Sequence, residues 1–467
     1  MLKKIISACI FILMFSLSGA SQTPHISGTV RLDISKGLFQ CDLEISDLPR
    51  ISGYSVLLNS GFNIKYFRNT GDTKNYYFER YYNDKQSFEA FQYYFPSNDR
   101  RSRFLPDAFR ISYTGAFPVI GDTAKMSSDD WKGNIAFNDR YLRATEQSVW
   151  YPILYDTLND VTYDNVTYDL QIICETPETI YLNGSAPQKS AAANFTSTVP
   201  FPLFLFIGNY GFEKNKETYF LNAGLSGEQE SELSSWCRKI MGYYEKELGI
   251  PYGVPVSFID AEPVCKDRSW MFVTYPSIVS VGRPPYTLSG LFRKDKPELR
   301  DSAMINYYSH ELGHYYFGTY LVPNAELKWL FLEGTTEYLS LQTSRNILGE
   351  KYYRDLLTKY SKVPDKYELV PLSEIKQADQ IDDYYRYNYV PLLLTALESE
   401  IGKERMWKWL RAVLASKNVK TDYAFFKSSL LASGVTQKEW DNFEGKYISA
   451  KDAKENVLNV AKRLTSN

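Results

Sequence analysis

Residues 309–338 read SHELGHYYFGTYLVPNAELKWLFLEGTTEY, and this stretch sets the class of the fold. Its first feature is the pentapeptide HELGH, in which His310 and His314 are spaced i, i+4. On a helix this spacing puts both imidazoles on one face, one turn apart, where they can bind one metal ion. The segment from Ser302 to Leu321 contains no proline, so we expect it to form that helix.

Glu311 directly follows the first histidine and can face a water molecule held at the same metal. His-Glu-x-x-His is a zinc-binding motif, and zinc lowers the pKa of such a water toward neutrality. A carboxylate beside it can accept the proton of the water while the oxygen attacks a carbonyl carbon. The pentapeptide therefore predicts a zinc-dependent hydrolase with Glu311 as general base.

Two observations argue against a chance match to this motif. The chain has three histidines, and two of them lie in the pentapeptide. Eighteen residues after His314 comes Glu333, within the sequence WLFLEG. A lone carboxylate at this position is more often a solvated helix charge, but the spacing and the context together are specific.

His-Glu-x-x-His, eighteen residues, and then Glu in a Trp-Leu-x-x-Glu-Gly context resembles the aminopeptidase N family of gluzincin peptidases. The resemblance implies that His310, His314 and Glu333 bind Zn2+ and that Glu311 is the general base. It also implies a thermolysin-like catalytic fold behind an N-terminal β domain, and a peptide as the substrate.

Glu337 lies four residues after Glu333, so both project from one helix face. Thermolysin-like enzymes use a carboxylate at this offset to hold a ligand histidine by its second ring nitrogen. The resemblance therefore assigns Glu337 to this role, and an exposed helix glutamate is the alternative.

The family also uses a tyrosine ahead of an apolar helix to donate a hydrogen bond to the oxyanion of the tetrahedral intermediate. Aligning the leucines at 392–397 places Tyr387 on that tyrosine. The Lys-Gly pair of the family motif is replaced here by Tyr-Val at 389–390. Tyr385 and Tyr389 therefore stay open as alternatives.

One feature of the family is missing from its expected place. Aminopeptidases of this kind carry a Gly-x-Met-Glu-Asn strand upstream of the zinc helix, and its glutamate holds the free amino terminus of the substrate. The corresponding stretch at 270–282 reads WMFVTYPSIVSVG, which predicts an edge strand without an acid. We therefore expect a zinc peptidase, either an aminopeptidase or a narrow-specificity endopeptidase. A non-catalytic peptide-binding protein on the same scaffold is the alternative from a different class.

The rest of the chain predicts two domains. Strand patterns dominate 22–205, beginning with a hairpin around Lys36-Gly37, and predict an all-β, sandwich-like domain. Within it, 84–139 gives no clear pattern, and the Ala-, Ser-, Thr- and Pro-rich segment 190–202 predicts a connection. A capping-box spacing at Ser226 then opens a helix, and helical patterns dominate the end of an α+β domain at 206–467.

The N-terminus predicts export. A basic start, an apolar run over 5–17 and small residues at 18–20 are typical of a signal peptide, here 1–21. A lipoprotein-like box ends at Cys9, but the apolar stretch before it is too short for a signal, so we do not expect lipid anchoring there. No later run is apolar enough to span a membrane, and we expect a periplasmic or secreted protein.

Four cysteines follow the predicted signal peptide. In an oxidising compartment the natural pairs are Cys41–Cys174 and Cys237–Cys265, one in each domain, and buried free thiols are the alternative. The net charge of −2 lacks the positive excess that nucleic-acid binding needs. Zn2+ and a peptide are thus the partners that the sequence predicts.

Overall fold

The structure is a computed structural model. It describes residues 23–82, 89–99, 101–122, 130–266, 269–283, 287–294, 296–364, 367–416 and 419–466. The predicted signal peptide and Cys9 lie outside the described residues. No helix within these ranges combines the length and the apolar character needed to cross a bilayer.

The first region consists of two β-sheets. Its strands are β1 (His25–Asp33), β2 (Leu38–Ser46), β3 (Tyr54–Asn59), β4 (Phe62–Arg68), β5 (Glu79–Tyr82), β6 (Ala90–Tyr94), β7 (Phe109–Ala116), β8 (Ala136–Phe137), β9 (Tyr141–Ala144), β10 (Ile153–Asp156), β11 (Val161–Tyr163), β12 (Asn165–Leu182), β13 (Gln188–Pro202) and β14 (Leu205–Gly208). Among the described residues, nine strands form a sheet in the order β4-β7-β2-β1-β12-β14-β9-β8, with β13 also paired to β12. The other five form a sheet in the order β11-β10-β3-β6-β5.

The segment predicted as a connection is instead strand β13, which pairs antiparallel with β12. Phe195 and Phe201 of β13 are buried, whereas most of its small and polar residues face solvent. This composition hides the alternation that identifies a strand, because few of its residues are β-branched or aromatic. Strands β6, β7 and β8 lie in the region 84–139, which has no clear pattern in the sequence.

The second region begins with strands β15 (Phe212–Asn215), β16 (Thr218–Leu221), β17 (Ser257–Ala261), β18 (Trp270–Thr274) and β19 (Ser277–Val281), which form a sheet in the order β15-β16-β17-β19-β18. Its helices are α1 (Gly227–Leu248), α2 (Ala303–Gly313), α3 (Thr335–Leu348), α4 (Glu350–Tyr360), α5 (Val390–Ile401), α6 (Lys403–Ala415), α7 (Tyr423–Ala432), α8 (Gln437–Tyr447) and α9 (Ala453–Thr465). The predicted order, a β region followed by a mixed α/β region, is confirmed, and β18 is an edge strand as expected.

Helix α1 supports the helix that carries the histidines. It begins with the predicted capping box, in which the hydroxyl of Ser226 accepts the Gln229 N–H at 3.3 Å and the Gln229 side chain accepts the Ser226 N–H at 3.0 Å. It ends at Gly249, which takes the left-handed conformation that terminates helices, with φ of 71°. From its buried face the Tyr244 hydroxyl donates to the Ser309 carbonyl at 2.6 Å. This hydrogen bond fixes the position of α2 relative to α1.

The histidine helix is shorter than the sequence predicts, because it ends at Gly313 and His314 caps it. Beyond this point the backbone tightens, since the Tyr316 N–H donates to the Gly313 carbonyl three residues before it, at 2.9 Å. The next side chain, Tyr315, stacks on Tyr275 with ring centroids 4.4 Å apart. His314 keeps helical backbone angles, so the i, i+4 spacing of the two imidazoles is preserved.

Of the two alternatives that the sequence leaves open for the cysteines, the structure shows buried free thiols at all four described positions. Cys41 lies opposite Val30 and Cys174 lies opposite Leu32 on the two sides of strand β1. One whole strand therefore separates the first pair, so that their Cα atoms are at least about 10 Å apart. A disulfide cannot span this distance. These cysteines act as small apolar side chains of the core.

A buried asparagine joins the two regions. The side-chain N–H groups of Asn183, which follows β12, donate to the carbonyls of Thr274 and Tyr275, each at 3.1 Å. Its side-chain oxygen accepts the Ser277 hydroxyl at 2.6 Å. This one side chain therefore holds the turn between β18 and β19 against the first sheet, and it is fully buried.

Replacement of this residue tests its structural role. Asn183→Ala leaves several buried polar groups without a partner, and we expect it to lower the free energy of unfolding by roughly 3 kcal/mol. Asn194→Ala changes an exposed asparagine of β13 and serves as the matched control, with an expected effect below about 0.5 kcal/mol. Denaturant unfolding measures both variants. Equal stability of the two would contradict the role assigned to Asn183.

Candidate metal centre

Three side chains predicted as metal ligands converge in the structure. His310 and His314 come from the end of α2, and Glu333 comes from the turn before α3. The His310 Nε2 atom lies 3.1 Å from His314 Nε2 and 3.2 Å from Glu333 Oε2. The third distance, from His314 Nε2 to Glu333 Oε2, is 3.5 Å. These residues form the group of potential metal ligands found among the described residues.

Glu333 lies in a π-helical turn, Leu330–Gly334, that continues into α3. Gly334 ends this turn and packs closely against Val390. A Cβ atom at position 334 would lie 2.3 Å from the Val390 Cγ1 atom, so only glycine fits there. Val390 follows a second π-helical turn, Tyr385–Tyr389, at the start of α5. The glycine of the WLFLEG context therefore lets the turn carrying Glu333 touch the turn carrying Tyr387.

The second ring nitrogen of His310 is held by Glu337, whose Oε2 atom accepts the Nδ1–H at 2.6 Å. The other oxygen of Glu337 accepts a short hydrogen bond from the Tyr360 hydroxyl, and Asn306 also bonds this carboxylate. Burial opposes ionisation of Glu337, but the bonds from His310 and its other partners keep its pKa below the usual value. The structure thus places Glu337 where the sequence predicts it.

Glu311 is buried beside the two histidines, with 7% of its surface exposed. Burial raises the pKa of this carboxyl group, and the neighbouring imidazoles act in the opposite direction. The Tyr307 hydroxyl is its hydrogen-bonding partner. Tyr307 lies four residues earlier on the same face of α2, so it can hold the carboxylate toward the histidines.

Of the three candidate tyrosines, Tyr387 is the one that faces the metal ligands. Its ring centroid lies 5.9 Å from that of His310, and its hydroxyl interacts with Glu333. Tyr387 is 36% exposed, whereas Tyr385 and Tyr389 are 1% and 2% exposed. The Tyr385 hydroxyl is bound to a backbone carbonyl at 3.1 Å. Burial raises the pKa of Tyr387, as does the charge of Glu333, so the phenol is a hydrogen-bond donor.

The donor set fits a tetrahedral zinc ion. Bonds of 2.0–2.2 Å in that geometry place ligand atoms about 3.3 Å apart, close to the separations observed between His310, His314 and Glu333. With Nδ1 of His310 protonated toward Glu337, its Nε2 atom presents a lone pair to the other two ligand atoms. Three such electron-rich atoms repel one another, and a cation between them would remove this repulsion.

Several supporting residues of this centre were not found from the sequence. Tyr307 could have been found, because its i, i+4 spacing from Glu311 places both on one helix face. Asn306 has the same spacing from His310. Tyr360 carries no such signal, because it reaches Glu337 from a helix that only the tertiary fold brings close. The structure also places Lys328 and Arg386 near this centre, and the sequence patterns do not single out either one.

Known structures share this fold. A mutant of the M1 zinc metallopeptidase from Deinococcus radiodurans is 14% identical with a TM-score of 0.61, over 91% of this chain and 93% of that chain. Native leukotriene A4 hydrolase from Saccharomyces cerevisiae is 13% identical with a TM-score of 0.64, over 91% of this chain and 67% of that chain. A two-domain M1 zinc metallopeptidase mutant bound to L-tryptophan is 14% identical with a TM-score of 0.58, over 94% of each chain. No family model and no curated protein matches the sequence.

The architecture is therefore that of a two-domain zinc-peptidase scaffold. More specifically, the chain has the fold of the M1 zinc metallopeptidases, which confirms the resemblance inferred from the sequence. The cluster of His310, His314 and Glu333 is consistent with a gluzincin site.

The contact between the two π-helical turns can be tested at Gly334. Its backbone is helical, so alanine alone should favour the helix. Because the new Cβ atom would overlap Val390, we expect Gly334→Ala to lower the free energy of unfolding by about 2 kcal/mol and to weaken metal binding. Denaturant unfolding and zinc titration measure these effects.

The double variant Gly334→Ala/Val390→Gly should recover part of both losses, since it removes every Val390 side-chain atom that the new Cβ atom would overlap. Val390→Gly alone is the control for the cavity and the helix destabilisation that this change creates. Additive effects of the two substitutions would contradict the proposed contact.

Proposed function

We propose that this chain is an exported zinc-dependent peptidase that hydrolyses peptide bonds. One observation carries the proposal: the ligand atoms of His310, His314 and Glu333 meet at 3.1–3.5 Å, directly beside the buried carboxylate of Glu311. The shared fold with M1 zinc metallopeptidases supports it. One of these structures contains a Tyr-Ser-Ala substrate and another an amino acid.

His310, His314 and Glu333 would hold the zinc ion, which supplies a Lewis acid for the carbonyl group and lowers the pKa of a water. Glu337 holds the His310 ring so that Nε2 faces the metal position. Glu311 accepts the proton of the attacking water and passes it to the leaving amine. The Tyr387 hydroxyl donates a hydrogen bond to the oxygen on which negative charge develops.

The chain-end preference is a separate part of the proposal. An aminopeptidase needs an anion that binds the amino terminus, and β18 offers no acid at its expected place. This observation favours the alternative, a narrow-specificity endopeptidase whose substrate pairs with the edge of β18. The signal-peptide pattern at 1–21 supports export into the periplasm or the medium.

Glu311→Gln tests the reaction. The variant keeps the proposed metal ligands, so we expect stoichiometric zinc but a turnover reduced by roughly 10²–10⁴-fold, because the general base is lost. Metal analysis and a digest of short peptides measure the two properties. Equal cleavage by wild type and variant would disprove the mechanism, and wild-type protein that binds no zinc would disprove the metal assignment.

The same digest separates the two specificities when each peptide is supplied with a free and with an acetylated N-terminus. Cleavage restricted to the free peptides supports an aminopeptidase, because only they offer an amine to bind. Cleavage of both forms at similar rates supports the endopeptidase.

Tyr387→Phe tests the oxyanion donor. The substitution keeps the ring beside His310 and removes the hydroxyl, so we expect kcat to fall by about 10²-fold with little change in KM. Tyr385→Phe and Tyr389→Phe are the matched controls, because both side chains are buried away from the ligands. A larger loss of kcat in either control than in Tyr387→Phe would reassign the role.

A further inference from the structure

Two cationic side chains share one indole ring beside the metal centre. The Lys328 Nζ atom lies 5.1 Å from the centroid of the Trp329 ring. The Arg386 Cζ atom lies 4.6 Å from the same centroid and 5.2 Å from that of Tyr387. Lys328 and Trp329 lead into the turn that carries Glu333, and Arg386 lies next to Tyr387 in the other turn.

Lys328 is half-buried, and its ammonium group has no acidic partner among the described residues. No carboxylate of the described residues lies within ion-pairing distance of its ammonium group; Asp160 and Glu333 are the acids that act on it from farther away. Asp160 already accepts bonds from the Tyr155 hydroxyl at 2.8 Å and the Ala325 N–H at 3.2 Å. Glu333 already interacts with His310 and His314. A ligand carboxylate would therefore supply the ion-pairing partner that the described residues lack.

The hydrogen-bonding groups of Arg386 also lack a full set of partners among the described residues. One of its terminal nitrogens pairs with Asp383, whose side chain is 83% exposed, so this pair contributes little to stability. The Nε atom is buried and makes no hydrogen bond to the described residues. Packing on Trp329 explains the position of the guanidinium group. Because the Nε atom is buried, a ligand would bond the terminal nitrogen that Asp383 does not use.

We propose that Lys328 and Arg386 form a carboxylate-binding subsite beside the metal centre, so that the enzyme prefers peptides that bring a carboxylate to Trp329. The carboxylate would come from the C-terminus of a short peptide or from an Asp or Glu side chain. Guanidinium and ammonium groups over an aromatic ring suit this ligand, because they add charge-assisted hydrogen bonds to a preformed apolar platform. The proposal rests on the proposed peptidase function and adds the substrate class.

Two matched peptide pairs test the preference and identify its source. The first pair differs only in a C-terminal carboxylate or amide, and the second has an amidated end and differs only in Glu or Gln. We expect kcat/KM of wild-type enzyme to be at least about tenfold higher for the charged member of one pair. The pair that shows the preference identifies the carboxylate. Equal kcat/KM within both pairs would overturn the subsite.

Three variants assign the preference to these side chains. Lys328→Met and Arg386→Gln should each lower the charged-to-neutral ratio of kcat/KM by about tenfold, and Lys328→Arg should retain it. Lys351→Met is the control, because Lys351 is 85% exposed and lies on α4. A ratio unchanged in both Lys328→Met and Arg386→Gln, with melting temperatures close to wild type, would overturn the proposal.

Binding to zinc-loaded Glu311→Gln protein separates the subsite from the chemistry. Calorimetric titration with the same peptide pairs should show the same preference without any turnover. If wild type cleaves no peptide but this preference is found, the proposed hydrolysis fails and the subsite stands. If wild type cleaves peptides and the charged and neutral members bind equally well, the subsite fails and the proposed hydrolysis stands.

Discussion

Helix α2 and helix α3 can approach closely because Gly313 places no side chain between them. A Cβ atom there would lie 2.9 Å from the Thr336 Cγ2 atom, closer than packed atoms tolerate. At this separation Glu333 and Glu337 reach the two ring nitrogens of His310 from opposite sides. A wider gap would break both contacts together, so the remaining parts of the centre depend on this packing distance.

Tyrosine hydroxyls attach the rest of the second region to this pair of helices. Tyr244 donates to the carbonyl of Ser309, while Tyr316 donates to that of Ile250 at 3.0 Å. The aromatic rings fill the core and their hydroxyls satisfy buried carbonyls, which one apolar side chain cannot do. Many of the 38 tyrosines of the chain connect elements in this way. Tyr385 and Tyr389 are likewise buried in the core, so of the three candidates only Tyr387 faces the metal ligands.

The sequence predicted those features that depend on neighbours along the chain. The spacing of His310 and His314, the capping box at Ser226 and the hairpin around Gly37 are local, and each has a fixed geometric meaning. Features set by distant contacts were missed or mistaken. Strand β13 is defined by its pairing with β12, and Tyr360 reaches Glu337 from another helix. The same limitation explains why the state of Cys41 and Cys174 stays open in the sequence, because the intervening strand becomes known only from the sheet order.

Both π-helical turns contain a hydrogen bond across five residues: the Thr335 N–H donates to the Leu330 carbonyl, and the Val390 N–H donates to the Tyr385 carbonyl. Each turn therefore accommodates one residue more than a regular helix. Because one residue corresponds to about 100° of rotation, deleting one would restore the helix but turn its two ends relative to each other. Glu333 or Tyr387 would then point elsewhere. In these two places the number of residues matters as much as their identity, and a one-residue deletion that surface loops accommodate would here separate the side chains of the centre.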